Sequence, residues 1–252
     1  MINKFLEKLN IPKFCELNNT IFKKLFYENT YMSKQDKDIF SNNINKIIWL
    51  HSLKSENINI ESYKDEECEY EEVEFIQVKL NYESKIVRIA EIIQKTIPYP
   101  IVLIFNYENK IMLNVALKKI NKVDESKNSV EEFIFTDWID LNELSKREED
   151  FFNSLNIKEL PFSNFYKFYL GIVDKVNLFN ASKYKNDFKA LEYKNAEEIK
   201  NINDKINSLD TEILNLKSKI KKEIHFNRKV EMNIHIKKLE GKKQSLIDKL
   251  NS

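Results

Sequence analysis

Three residues in the first third of the chain have the types and spacing of a metal-dependent hydrolytic site. Eleven residues separate Asp65 from Gln77, and Lys79 follows two positions later. The segment "VEFIQVKL", residues 73–80, has the alternating apolar side chains of a strand. Because residues i and i+2 of a strand point to the same side, Gln77 and Lys79 would converge with Asp65 on a divalent cation that activates water.

This pattern resembles the variant restriction-endonuclease core, in which glutamine replaces the usual acid, and the resemblance implies a metal-dependent nuclease. Two observations weaken that interpretation. Asp65 lies in residues 61–74, where eight acidic residues and one lysine predict a solvated loop. Lysine is also abundant, since only three of the 41 Lys and Arg residues are arginine. The preferred interpretation of residues 73–80 is a plain amphipathic strand, and the nuclease is kept as an alternative.

Other catalytic chemistry has little support in the sequence. The three histidines and two cysteines show none of the close pairings that zinc sites use. Two glycines in the whole chain leave no glycine-rich loop for a nucleotide phosphate. We therefore expect no metal and no cofactor, and the sequence favours a protein that is not an enzyme.

Composition indicates the cellular setting. The formal net charge is +1, which by itself points to neither nucleic acid nor a membrane surface. The most apolar run, "IPYPIVLIF", is far too short to span a bilayer. Two cysteines far apart in sequence suit a reduced compartment. These features predict a cytoplasmic protein without a membrane segment.

The periodicity of residues 1–186 predicts an α+β globular domain, with a small mixed or antiparallel sheet covered by helices. The first 55 residues read as helical, with Ser33 as the N-cap of a helix that continues through Leu50. Residues 70–140 read β-α-β-β-β, with Asn109 supplying the left-handed residue of a hairpin turn and a loop at 124–129. Residues 141–185 read as helical, with aromatic side chains in the core.

Residues 187–252 predict an α-helical coiled-coil arm. A strict heptad seam comprises Ile199, Ile202, Ile206, Leu209, Ile213, Leu216 and Ile220. A second register, about two residues out of phase, comprises Met232, Ile236, Leu239, Lys243, Leu246 and Leu250. One helix cannot present both registers on a single face. We favour an antiparallel helical hairpin; the alternative is one continuous helix that forms a homodimer through the coiled coil.

The bend of this hairpin falls in "KKEIHFNRKVEMN", residues 221–233, with Asn227 as N-cap of the returning helix. The polar residues at this bend form a candidate interaction tip: Glu223, His225, Asn227, Arg228, Lys229 and Asn233. The segment from Lys217 to Lys249 contains eleven basic and four acidic residues. This excess makes a module that binds nucleic-acid phosphates a further alternative.

Four segments together resemble the bacterial domain-of-unknown-function family 4391: "KKLFYENTYMSKQDKDIF", "IIWLHSLKSENINI", "IPYPIVLIF" and "KKEIHFNRKVEMNIHIKKLE". The resemblance implies an accessory protein of a DNA-targeting restriction or anti-phage system. It also implies a protein partner, namely a Swi/Snf-like helicase or a DNA methyltransferase. It transfers no active-site residue to this chain.

Overall fold

The computed structural model describes residues 2–120, 128–185, 187–192 and 194–251, and only the backbone of residues 128 and 251. The chain separates into two compact units, Met1–Val176 and Asn177–Ser252. The loop predicted at 124–129 lies mostly outside the described residues. Its last two residues, Asn128 and Ser129, belong to a strand.

The first unit is built on a mixed sheet. Its strands are β1 (Glu16–Ile21), β2 (Ile44–Lys54), β5 (Glu72–Leu80), β6 (Ile101–Tyr107), β7 (Lys110–Ile120), β8 (Asn128–Phe135) and β9 (Ile139–Asp140). A separate small hairpin consists of β3 (Tyr63–Lys64) and β4 (Glu69–Tyr70). The described sheet has the order β1-β2-β5-β6-β7-β8, and β9 also pairs with β7. β5 and β6 are parallel, whereas the other neighbours are antiparallel.

Both units contain helices. They are α1 (Ile2–Leu9), α2 (Lys23–Asn29), α3 (Lys34–Asn43), α4 (Ser55–Ile58), α5 (Ile86–Thr96), α6 (Lys146–Ser154), α7 (Phe165–Ser182), α8 (Lys189–Glu192), α9 (Ala196–Lys222) and α10 (Phe226–Asn251). Lys13–Cys15 and Ile157–Glu159 form short 3-10 helices. None of the described helices has the length and apolar character needed to cross a membrane.

The crossover β5-α5-β6 organises the core of the first unit. Parallel neighbours need a crossover connection, and α5 provides it. α5 buries Ile89, Ala90 and Ile93 against the same core as Ile76 and Phe105. The predicted β-α-β-β-β order of residues 70–140 is confirmed, as is the α+β class with a mixed sheet.

The predicted helix from Ser33 to Leu50 is correct only in its first part. The capping box at Ser33 is present, because Ser33 Oγ accepts from the Asp36 N–H and Asp36 accepts from the Ser33 N–H. The helix ends at Asn43, and Ile44–Lys54 form strand β2. Register shifts in the pairing of β2 with β5, at 44/46 and 49/51, place buried residues three apart at Ile44, Ile47 and Leu50. A bulge adds a residue to a strand, so this spacing imitates a helix.

Two other local predictions need correction. The segment 61–74 is not only a loop, since it contains the β3–β4 hairpin and the start of β5. The left-handed residue of the β6–β7 turn is Glu108, with φ of 51°, rather than Asn109. The Asn106 amide holds that turn by donating to the carbonyls of Glu108 and Lys110, both at 3.1 Å.

Tyr169 of α7 fastens β6 to β7 from inside the core. Its hydroxyl accepts a hydrogen bond from the Ala116 N–H at 3.0 Å. The same oxygen lies 2.9 Å from the Ile101 carbonyl and 3.1 Å from the Ala116 carbonyl. Burial raises the pKa of Tyr169, which keeps the hydroxyl protonated and able to donate.

We predict that Tyr169→Phe lowers the free energy of unfolding of the first unit by about 1–3 kcal/mol, because backbone groups of β6 and β7 lose a buried partner. Both tryptophans, Trp49 and Trp138, lie in this unit, so their fluorescence in urea reports its unfolding. Tyr31→Phe is the control, since Tyr31 is 94% exposed. Equal stability of the two variants would contradict the assigned role.

Candidate functional site

The structure does not bring Asp65 together with Gln77 and Lys79. Asp65 lies in the turn of the β3–β4 hairpin and accepts hydrogen bonds from the N–H groups of Cys68 and Glu67, both at 2.8 Å. These bonds, that of Cys68 first, lower the pKa of Asp65. The Asp65 carboxylate therefore stabilises the hairpin turn in which it lies.

Gln77 and Lys79 lie near the other end of the sheet. Lys79 pairs with Asn106 of β6, Asn106 pairs with Ile111 of β7, and the Gln77 amide donates to Asn106 Oδ1 at 3.2 Å. The β3–β4 hairpin is attached at Ile120, whose N–H donates to the Glu67 carbonyl at 2.7 Å.

These two attachment points, Ile111 and Ile120, are nine positions apart on β7, which corresponds to about 30 Å along a strand. The predicted nuclease constellation is therefore not assembled. The register of β5 in the sheet accounts for the common side of Gln77 and Lys79. The predicted amphipathic strand is nevertheless wrong in having an exposed face, because every residue of β5 is buried except the half-buried Lys79. Within the part of the chain that the structure describes, no group of three or more His, Cys, Asp and Glu residues is placed to hold a metal ion.

Glu74 is a buried carboxyl group that the sequence analysis did not single out. It lies on β5, accepts a hydrogen bond from Ser52 Oγ at 2.8 Å and another from Trp49 Nε1. Burial raises the pKa of Glu74 to about 7. The neighbouring Glu72 forms an ion pair with Lys54 at 3.0 Å. The available signal was a charged residue within an otherwise mostly apolar strand.

We predict that the stability of the first unit falls as pH rises from about 4.5 to about 7, because the folded state keeps a proton on Glu74 that the unfolded chain has released. The loss should be roughly 1–3 kcal/mol, and Glu74→Gln should remove it. Urea unfolding of both proteins at pH 5 and pH 8 measures the difference. The same pH dependence in both proteins would show that Glu74 does not carry the effect.

The second unit contains the predicted interaction tip. α9 ends at Lys222 and α10 begins at Phe226, so three residues connect the helices. The predicted helices are confirmed, although α10 begins one residue before Asn227, which therefore lies inside its first turn rather than at its N-cap. Ion pairs join Lys217 to Glu240 and Asp210 to Lys243. The order of these pairs along α9 is the reverse of their order along α10.

Glu223 holds the connection in place. Its carboxylate accepts hydrogen bonds from the N–H groups of Ile224 at 2.8 Å and His225 at 2.9 Å. Its other oxygen lies 3.9 Å from Arg228 Nη1. The bond from the His225 N–H is the main cause of a lowered Glu223 pKa. Glu223 and Arg228 thus join the end of α9 to the start of α10.

This connection presents apolar side chains to solvent. Ile224 is 89% exposed and Phe226 is 76% exposed, and the exposed Val230 and Ile234 follow on α10. We call these four residues the apolar tip. The sequence pattern predicted only polar residues at this site. The available signal was the first heptad register, which continues through Val230 and Ile234 beyond the bend.

The apolar tip is distinct from the seam that joins α9 to α10. That seam buries Ile236 and Leu239 of α10 against Ile213 of α9. Each helical residue turns about 100°, so Ile234 lies about 200° around α10 from Ile236. Val230 and Ile234 therefore face away from α9.

The predicted polar tip residues alternate in sequence with the residues of the apolar tip. His225, Asn227 and Arg228 are exposed, and Lys229 is half-buried. Asn233 is exposed and lies one turn further along α10. The structure therefore combines apolar side chains with basic neighbours at one end of the helix pair, an arrangement suited to binding a partner.

Comparison with known proteins identifies the family. No curated protein and no solved structure matches the chain. A family model, described as a domain of unknown function (DUF4391), matches residues 9–242. The match extends over both structural units. This chain belongs to the DUF4391 family.

Proposed function

We propose that this protein is a non-enzymatic accessory protein that acts through protein–protein contacts, with the apolar tip as its contact surface. The observation that carries the proposal is the exposure of Ile224 and Phe226 on a connection fixed by Glu223. An apolar surface surrounded by polar residues is typical of a binding site.

The energetics favour binding at this position. Burial of an isoleucine or phenylalanine side chain contributes about 1.5–3 kcal/mol each. The Glu223 hydrogen bonds fix the backbone of Ile224 and His225 before any partner arrives. A pre-organised surface loses less conformational entropy on binding, so more of the burial energy contributes to affinity.

The helix pair would act as a coiled-coil hairpin arm that carries the apolar tip. The heptad spacing of α9 and the ion pair between Lys243 and Asp210, at 2.6 Å, support this arrangement. A homodimer through this coiled coil is the competing proposal. The nuclease has less support, because Asp65 and Lys79 lie at opposite ends of the sheet.

The partner follows from the resemblance noted in the sequence. We propose a Swi/Snf-like helicase or a DNA methyltransferase of a restriction or anti-phage system, in the cytoplasm. Nucleic acid is the second candidate ligand, because the segment from Lys217 to Lys249 contains eleven basic residues and only four acidic ones. Contacts with phosphates would weaken steeply as salt increases, whereas apolar contacts would not.

We predict that the double variant Ile224→Ser/Phe226→Ser weakens capture of the proposed helicase or methyltransferase partner by at least roughly tenfold, since central apolar residues dominate binding energy. The matched control is Phe14→Ser/Phe22→Ser, which removes two exposed phenylalanines from the first unit. Capture is quantified with purified full-length proteins at several salt concentrations.

Circular dichroism of each variant checks that the helices are retained. Binding of neither partner by the intact protein would refute the proposal. So would equal binding by the tip variant and the wild type. Capture of DNA alone, lost at moderate salt, would favour the nucleic-acid module instead.

A further inference from the structure

A groove of about 740 Å³ lies between α9 and α10, along the outer edge of their buried seam. Its apolar lining comes from Leu214, Ile220 and Ile236. Leu214 is 66% exposed, whereas the preceding residue of α9, Ile213, is buried in the seam. The groove therefore offers apolar surface that the two helices do not cover themselves.

The groove has the dimensions of a helix-binding site. Its lining residues span 214–221 on α9 and 233–240 on α10, which is about 10 Å, or two helical turns, on each helix. Two neighbouring antiparallel helices form a trough into which the side chains of a third helix can pack. Recognition of this kind uses an apolar stripe at i, i+3, i+4 and i+7 of the incoming helix.

The rims of the groove are basic. Lys217 and Lys221 lie on the α9 side, and Lys237 lies on the α10 side. Glu240 also lines the groove, but it forms an ion pair with Lys217 at 3.4 Å. A helix seated between these rims would meet positive charge on both flanks, which selects acidic residues at its own flanking positions.

We propose that this groove binds an acidic amphipathic helix of the partner protein, which completes a three-helix assembly with α9 and α10. This inference rests on the proposed function and specifies the chemistry of the partner. A second copy of this chain fits less well, because it would bring the lysine rims of two grooves together. A flat anionic membrane would contact the apolar tip but would leave the concave lining around Leu214 unfilled.

The test uses a fluorescent 21-residue peptide with Leu at heptad positions a and d and Glu at e and g. Repulsion between the Glu residues keeps the peptide from pairing with itself. A matched peptide carries Lys at e and g. Fluorescence anisotropy measures the binding of each peptide to the full-length protein.

We predict that the Glu peptide binds the wild type and the Lys peptide does not. Lys221→Glu/Lys237→Glu should weaken binding of the Glu peptide by at least roughly tenfold and strengthen binding of the Lys peptide, because the rim charges are reversed. Leu214→Ser, in a protein that keeps the wild-type lysines, should weaken binding of the Glu peptide. The matched control, Lys238→Glu/Lys242→Glu, makes the same change of charge at exposed positions outside the groove and should leave binding within roughly threefold.

Several outcomes would overturn the inference. These are binding of neither peptide, equal binding of both, or equal loss in the control variant. Dimerisation seen by sedimentation and abolished by Leu214→Ser would assign the groove to a second copy. Binding to phosphatidylglycerol vesicles that depends on Lys221 and Lys237 and is not displaced by the Glu peptide would assign it to lipid.

The two proposals fail in different ways. If the Glu peptide does not bind but partner capture still depends on Ile224 and Phe226, the groove proposal is wrong and the proposed function stands. If capture is also independent of the tip, both are wrong.

Discussion

The first unit depends on how the start of β6 is held against β7. Backbone groups buried there need hydrogen-bond partners, and side chains provide them. The Tyr169 hydroxyl bonds to Ala116 and Ile101, and the Lys118 amine donates to the Ile97 and Tyr99 carbonyls. Burial keeps the pKa of Lys118 well below its ordinary value. This polar network fixes the crossover from α5 into β6, and with it the parallel strand pair at the centre of the sheet.

In the second unit, the pairing of α9 with α10 is organised differently, because two helices have fewer faces on which to bury apolar side chains. Ile213, Ile236 and Leu239 form a small buried cluster, while Leu214 remains exposed beside it. At the connection, Glu223 stabilises a backbone that holds Phe226 in solvent. The residues that stabilise the helix pair therefore lie next to the residues that leave apolar surface exposed to solvent. This combination is the physical basis of the binding role that we propose for this unit.

Sequence patterns predicted the elements whose signals are local. Ser33 and Asp36 form the expected capping box, and the periodicity of residues 70–140 gave the correct strand and helix order. β2 was misread because its bulges space buried residues three apart. The nuclease alternative needed Asp65 beside Lys79, but the hairpin that carries Asp65 is attached to β7 by a hydrogen bond from the Ile120 N–H to the Glu67 carbonyl, a long-range contact that no local pattern shows. The exposure of Phe226 was not predicted either, because a heptad pattern does not show which side chains a short connection between helices exposes to solvent.

Photo-crosslinking from position 226 tests the central claim most directly. A benzoyl-phenylalanine that replaces Phe226 would lie on the apolar tip. The full-length variant is expressed in cells together with the neighbouring genes. The same substitution at Phe22, which is also exposed, is the reference. We expect a crosslink from position 226 to the proposed helicase or methyltransferase partner and none to that protein from position 22. Crosslinks from 226 to nucleic acid or lipid alone, or identical crosslinks from both positions, would contradict it.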